Sequence, residues 1–209
     1  MIAGVREEIE SAARRLCDAG DYGAATSAGL RAYGSEVFGF LRASLRNETD
    51  ADEVFAIFAE DLWRSMPSFA WKCSLRTWSY LLAKRAGSRV LKQKRRAPVH
   101  ASSDLMEKLV QDIRTETLSF LRTEKKTRLH ALRDSLPEEE KALLLLRVDR
   151  KLSWDELARV LSPDDLEDDV AVKREAARLR KRFQLVKDKL RALAAREGLL
   201  PGRGSRDSE

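Results

Sequence analysis

The chain has 209 residues, 35% charged and 43% hydrophobic, with a formal net charge of +6. That length holds one large domain or two small ones, the composition excludes a disordered chain, and the positive excess favours an anionic partner. Two cysteines, Cys17 and Cys73, with no Cys-x-x-Cys and no neighbouring histidine, argue against a zinc module and a disulfide framework and fit a reducing compartment. The opening stretch "MIAGVREEIESAARRLC" carries acids and arginines where a signal peptide needs an apolar run. No apolar segment approaches the length of a membrane span, so a cytoplasmic protein without membrane insertion is expected.

Apolar residues recur at helical spacing nearly everywhere and no alternating strand stands out, which predicts an all-α protein. The first block runs to about residue 96, with helices expected near 3–19, 22–46, 50–65 and 74–96. The third, "DADEVFAIFAEDLW", is acidic until Arg64, and Val54, Ile57, Phe58 and Leu62 fall on one helical face. Residues 61–96 then crowd Trp63, Trp71 and Trp78 among lysines and arginines, with no acid after Asp61. A core helix wants the aromatics without the charge, and a solvated helix the charge without the aromatics. A planar polyanion suits both. On the 74–96 helix, Leu75, Trp78, Leu82 and Ala86 form an apolar stripe, which reads Trp78 as core. Arg85, Arg89, Lys92 and Arg96 make a separate basic stripe.

"APVHASSD" (97–104) interrupts the periodicity. A helical linker follows, with Leu105, Leu109, Ile113, Thr117 and Phe120 at helical spacing, expected to dock on a flanking domain. His100 and His130 are isolated and read as surface residues. The second block begins after Pro137. Ser153 and Glu156 form an S-x-x-E capping box ahead of a short helix burying Leu157, Val160 and Leu161, which Pro163 ends. A long amphipathic helix then repeats Val172, Ala176, Leu179, Phe183, Val186, Leu190 and Leu193 as a core stripe. Its other faces, from Lys173 to Arg191, are strongly basic, with only Glu175 and Asp188 acidic. A short capped helix, a turn and a basic helix make a helix-turn-helix candidate. No phosphate-binding glycine loop, metal cluster or nucleophile triad pattern appears, so no catalysis, no cofactor and no metal are expected.

The two blocks, in this order, resemble a bacterial RNA polymerase sigma factor of the extracytoplasmic-function (ECF) group. Asp50-Ala51-Asp52-Glu53, Trp63, Ser74-Leu75-Arg76-Thr77-Trp78 and the basic run Lys92 to Arg96 are similar to sigma region two. "LRDSLPEEEKALLLLRVDRKLSWDELARVL" is similar to the start of region four, and "LRKRFQLVKDKL" to its recognition helix. The chain departs from the family in carrying Ala56-Ile57 where Gln-Glu is usual. It also has an enlarged turn (162–171) that includes Asp164, Asp165, Glu167, Asp168 and Asp169.

The resemblance implies four segments: a region-two-like domain (1–97), a helical linker (98–128), a region-four-like domain (129–198) and a disordered tail (199–209). It implies core RNA polymerase and promoter DNA as partners and leaves room for an anti-sigma factor. Asp50, Asp52, Glu53, Ile57 and Asp61 would then bind polymerase. Trp71, Lys72, Arg76, Arg85, Arg89, Lys92 and Arg96 would hold minus-ten DNA. Arg178, Arg180, Lys181 and Arg182 would read the minus-thirty-five element. Within the first set of DNA residues, the loop "SFAWKCS", between Pro67 and the Ser74 cap, would take an extruded base on Trp71. The rival expectations are a free-standing helix-turn-helix regulator and a helical adaptor that binds only proteins.

Overall fold

Helices are the only regular structure among the residues that the computed structural model describes: 3–45, 47–93, 108–115, 128–162, 166 and 168–199. The protein is all-α, as the apolar spacing predicts. It divides into two compact units, Met1–Thr123 with Arg159–Pro163, and Glu124–Ala158 with Asp164–Glu209. No described helix is long and apolar enough to cross a membrane.

Four helices dominate the first unit: α1 (Ala3–Asp18), α2 (Tyr22–Ser44), α3 (Glu48–Ser65) and α4 (Leu75–Gln93). Each boundary has a local cause. Gly20 takes φ 77°, the left-handed geometry glycine adopts without a Cβ penalty, and the Asp21 N–H returns to the Leu16 carbonyl at 2.9 Å. Asp21 then caps α2 by accepting from the Ala24 N–H at 2.9 Å, and Asn47 caps α3 through the Thr49 N–H at 2.9 Å. After α3 the chain makes one 3₁₀ turn at Met66–Ser68, with Pro67 inside it. Ser74 starts α4 by accepting from the Thr77 N–H at 3.1 Å.

The i, i+4, i+8 spacing of Val54, Phe58 and Leu62 turns all three into the core, with Phe55 beside them. Phe55 packs against Phe38 of α2 with ring centroids 5.0 Å apart, and Phe40 meets Tyr80 of α4 edge-on at 5.5 Å.

One carboxylate joins three of these helices. Glu10 of α1 accepts from the Leu75 N–H at 2.6 Å, the Arg76 N–H at 3.1 Å and the Tyr33 hydroxyl at 2.8 Å. The first N–H groups of a helix have no partner within it and carry partial positive charge, so a carboxylate there is well placed. Arg76 turns inward at the same point, pairs with Glu36 of α2, and lies 5.5 Å from the Tyr80 ring centre.

Residues 108–115 form a further helix, α5, that packs on this unit through the buried Val110 and Ile113. It approaches α2 at Gly34, where a Cβ would stand 2.7 Å from Ile113 Cδ1. Arg114 donates to the Asp52 main-chain carbonyl and lies 4.0 Å from its carboxylate. Leu105, Thr117, Phe120 and His100, on the rest of the expected linker, lie outside the described residues.

In the second unit α6 (Arg128–Asp134) and α7 (Glu138–Leu144) lead into one π-helical turn, Leu145–Asp149, that the periodicity did not predict. Arg133 grips Asp149 through both carboxylate oxygens, at 2.7 and 2.8 Å, and the buried Lys141 pairs with Asp134 at 2.8 Å. Helix α8 (Trp154–Leu161) starts on the expected capping box: Ser153 N–H donates to Glu156 at 2.7 Å and Glu156 N–H to Ser153 Oγ at 3.2 Å. Leu157 and Ala158 are buried, as is Val160 in the last turn, which groups with the first unit; Leu161, the last helical residue, is only half-buried. The long helix α9 (Asp169–Arg196) buries Val172, Ala176, Leu179 and Val186. Val186 joins Leu136 and Leu144 in a cluster that Phe183 and Leu190 flank.

Replacing Glu10 by Ala should remove three charge-assisted hydrogen bonds and lower stability by about 2–3 kcal/mol, read as a lower urea midpoint with unchanged slope. Burial, and then the hydrogen bond to Glu10, push the Tyr33 hydroxyl above its ordinary pKa. The folded state therefore keeps that proton when the unfolded chain has lost it. Tyr33 costs no stability below pH ~10 and lowers it as pH rises beyond. Tyr33→Phe should flatten the alkaline fall in the pH–stability curve.

Candidate nucleic-acid interface

At the 68–74 loop, where Trp71 was the one ring expected to stack a base, three aromatic rings lie together. Phe69, which the sequence did not single out, is buried and stacks on Trp78 with centroids 5.3 Å apart and planes at 19°. Trp71 leans on the other neighbour, 4.7 Å from Phe69 at 43°. Phe69 is thus the ring that joins the two tryptophans. Trp78, expected in the core, is half-buried, and its indole N–H is shielded from solvent without a hydrogen-bond partner among the described residues. Trp71 adopts φ 54°, a left-handed backbone rare for a bulky residue and most often seen where a site imposes it. Arg14 of α1 covers the Trp71 ring at 5.7 Å from its centre. Nothing in sequence spacing links positions 14 and 71; only the packing of α1 brings them together.

Along α4, Arg85 and Lys92 are exposed, as is Lys72 in the loop, in keeping with a basic surface. Arg76 departs from it. Its spacing from Tyr80 and Ala83 puts it on the buried face, 3% exposed, where Glu36 neutralises it; it is an internal tie and not a surface contact. Arg89 is half-exposed and pairs with Asp61 of α3. Arg96 lies outside the described residues.

The acidic helix needs one correction of the same kind. Asp50 shares the i, i+4 face of Val54 and Phe58 and is buried at 8% exposure, so it does not present a docking carboxylate. Asp52, Glu53, Ile57 and Asp61 are half-buried, with Asp52 held by Arg114 and Asp61 by Arg89. Trp63, at the end of the same helix, is 51% exposed.

In the second unit, Arg178 and Lys181 face solvent opposite the buried stripe of α9; Arg178 lies 3.7 Å from Glu175 one turn earlier. The other two expected readers are held by the fold. Arg182 reaches Glu139 of α7 at 2.7 Å, and Arg180 lies over Trp154, whose ring also carries Arg147 at 4.7 Å and meets Phe183 edge-on. Lys189 pairs with Glu140 at 2.9 Å, so α7 supplies two carboxylates to the basic helix. Of the acidic turn, Asp168 is the N-cap of α9, accepting from the Ala171 N–H at 2.6 Å. Pro163, Asp164, Asp165 and Glu167 lie outside the described residues.

Among the described residues no group of His, Cys, Asp and Glu is placed to hold a metal, and neither Cys17 nor Cys73 is in a disulfide. No protein-family model matches the chain, and no curated protein matches it significantly.

The left-handed backbone at Trp71 separates strain from stacking. Trp71→Ala and Trp71→Gly lose the same ring, but only glycine relaxes φ, so the glycine variant should be the more stable by about 1 kcal/mol in chemical denaturation.

Proposed function

We propose that the protein is a sigma factor of the ECF group: it binds core RNA polymerase in the bacterial cytoplasm, directs it to promoters and helps open them, without catalysing a reaction itself. The observation that carries this reading is the Phe69–Trp71–Trp78 cluster at the head of the basic helix α4. Separated strands offer bases with exposed π-faces and a flanking line of phosphates. Aromatic side chains stack the former, worth ~1–3 kcal/mol per base, while Arg85, Arg89 and Lys92 suit the latter. Duplex recognition alone needs no such cluster, which sets this reading above a free-standing helix-turn-helix regulator.

Two further features support it. The half-buried acids of α3, beside Ile57 and the exposed Trp63, fit a basic, partly apolar protein surface, the role proposed for polymerase. Capped α8 followed by α9, with Arg178 and Lys181 facing outward, fits a helix-turn-helix reading the major groove upstream.

Co-purification with core polymerase, followed by transcription in vitro from promoters selected by the holoenzyme, tests the proposal; a chain that binds DNA but never polymerase returns it to the regulator class. Within that assay, Arg178→Ala or Lys181→Ala should relax preference at one base pair by about 1–3 kcal/mol, as expected for base contact. An equal loss on all sequences would reassign both to the phosphate backbone. Trp71→Ala should slow open-complex formation on duplex promoter more than on a pre-melted template.

A further inference from the structure

We infer that Arg14 of α1 is a nucleic-acid-binding residue: it holds the backbone phosphate beside the base that stacks on Trp71. The inference rests on the proposed reading of the 68–74 loop as a single-strand site and extends that site onto a helix without any recognisable motif.

The placement of Arg14 is fixed rather than incidental. One turn before it, Glu10 is bound to the first two N–H groups of α4, at 2.6 and 3.1 Å. That attachment holds α1 against the start of α4, and the next turn of α1 brings the Arg14 guanidinium to 5.7 Å from the Trp71 ring centre. Arg14 is exposed, and among the described residues it has no ionic partner. Arg42, Arg64, Arg76 and Arg89 of the same unit each meet a carboxylate. A guanidinium over an aromatic face does not use its in-plane N–H donors on the ring, and those donors match two phosphate oxygens. A ring to stack a base and a fork to hold its phosphate, side by side, are the two halves of a nucleotide site.

The alternative is that Arg14 only pins Trp71 in its left-handed conformation. Salt dependence separates the two roles, since a phosphate contact displaces counterions and a ring contact does not. The 209-residue chain, free of polymerase, would be titrated at several salt concentrations with a labelled single-stranded oligonucleotide of about a dozen nucleotides. Arg14→Gln should weaken binding about three- to tenfold and reduce the slope of log K against log salt by roughly 0.7, the value for one phosphate on a single strand. Arg14→Lys should restore the slope, and Trp71→Phe should leave it unchanged. Because Arg14 is exposed, the Arg14 variants should fold and melt close to the parent. A loss of affinity with the slope intact, no loss at all, or a parent that does not bind the oligonucleotide would each overturn the inference. Failure to associate with core polymerase while oligonucleotide binding persists would overturn only the sigma-factor reading.

Discussion

The Glu10 carboxylate is the constraint on which the first unit depends. Without it α1 would contribute mainly small side chains, such as the buried Ala13, to the core. With it, three donors from α2 and α4 converge on one residue of α1, and the start of α4 is fixed in space. Everything that makes the neighbouring loop distinctive follows from that fixed start. Arg76 turns inward to Glu36, Ser74 caps the helix, and the chain entering it is bent at Lys72 and Cys73. It turns through a left-handed residue at Trp71, whose ring then leans on Phe69. A left-handed conformation costs roughly 1–2 kcal/mol in an L-residue, a sum that the aromatic stack and the Arg14 contact are large enough to offset.

The four helices of the first unit, and α8 and α9, were legible because local signals agree with tertiary structure: apolar residues at three- and four-residue spacing, Gly20, Pro67, Ser74 and the Ser153–Glu156 box each act within one turn; α6, α7 and the π-helical turn were not set apart by such signals. The site was legible only in part, for the opposite reason. Asp50 and Arg76 look like surface charges because a charge pattern does not state which face is buried. Their i+4 neighbours, Val54 and Tyr80, show it once the core is known. Phe69 could have been found as the one other aromatic in the loop. Arg14 could not, since its relation to Trp71 passes through Glu10 and α4. That the linker docks on a flanking domain was expected from its apolar spacing, but its place on α2 was not, because the complementary cause, the missing Cβ of Gly34 facing Ile113, lies far earlier in the chain.

Burial treats the charged residues of this chain in two ways. Arg76 with Glu36 ties two helices together where water is largely absent, and removing one partner there would strand a charge; Lys141 is also buried, but its partner Asp134 is 57% exposed. Arg89 with Asp61, Arg182 with Glu139 and Lys189 with Glu140 lie near solvent, where such pairs contribute ~0–1 kcal/mol. These outer pairs are weak enough to exchange.

That difference bears on how the proposed surfaces would work. A polyanion approaching α9 does not meet a bare basic face; it must displace Glu139 and Glu140 from Arg182 and Lys189. The exchange costs little, because a surface pair is already partly solvated, but it subtracts from every non-specific phosphate contact alike. A site that also offers base edges to Arg178 and Lys181 gains contacts against which no such subtraction is made across helices. In the proposed role, the acids of α7 would therefore weaken general attraction to DNA more than they weaken recognition. In the first unit Asp61 and Arg89 occupy each other. A basic protein partner that takes Asp61 leaves Arg89 available to phosphate, so the two proposed binding events favour one another through a single exposed ion pair.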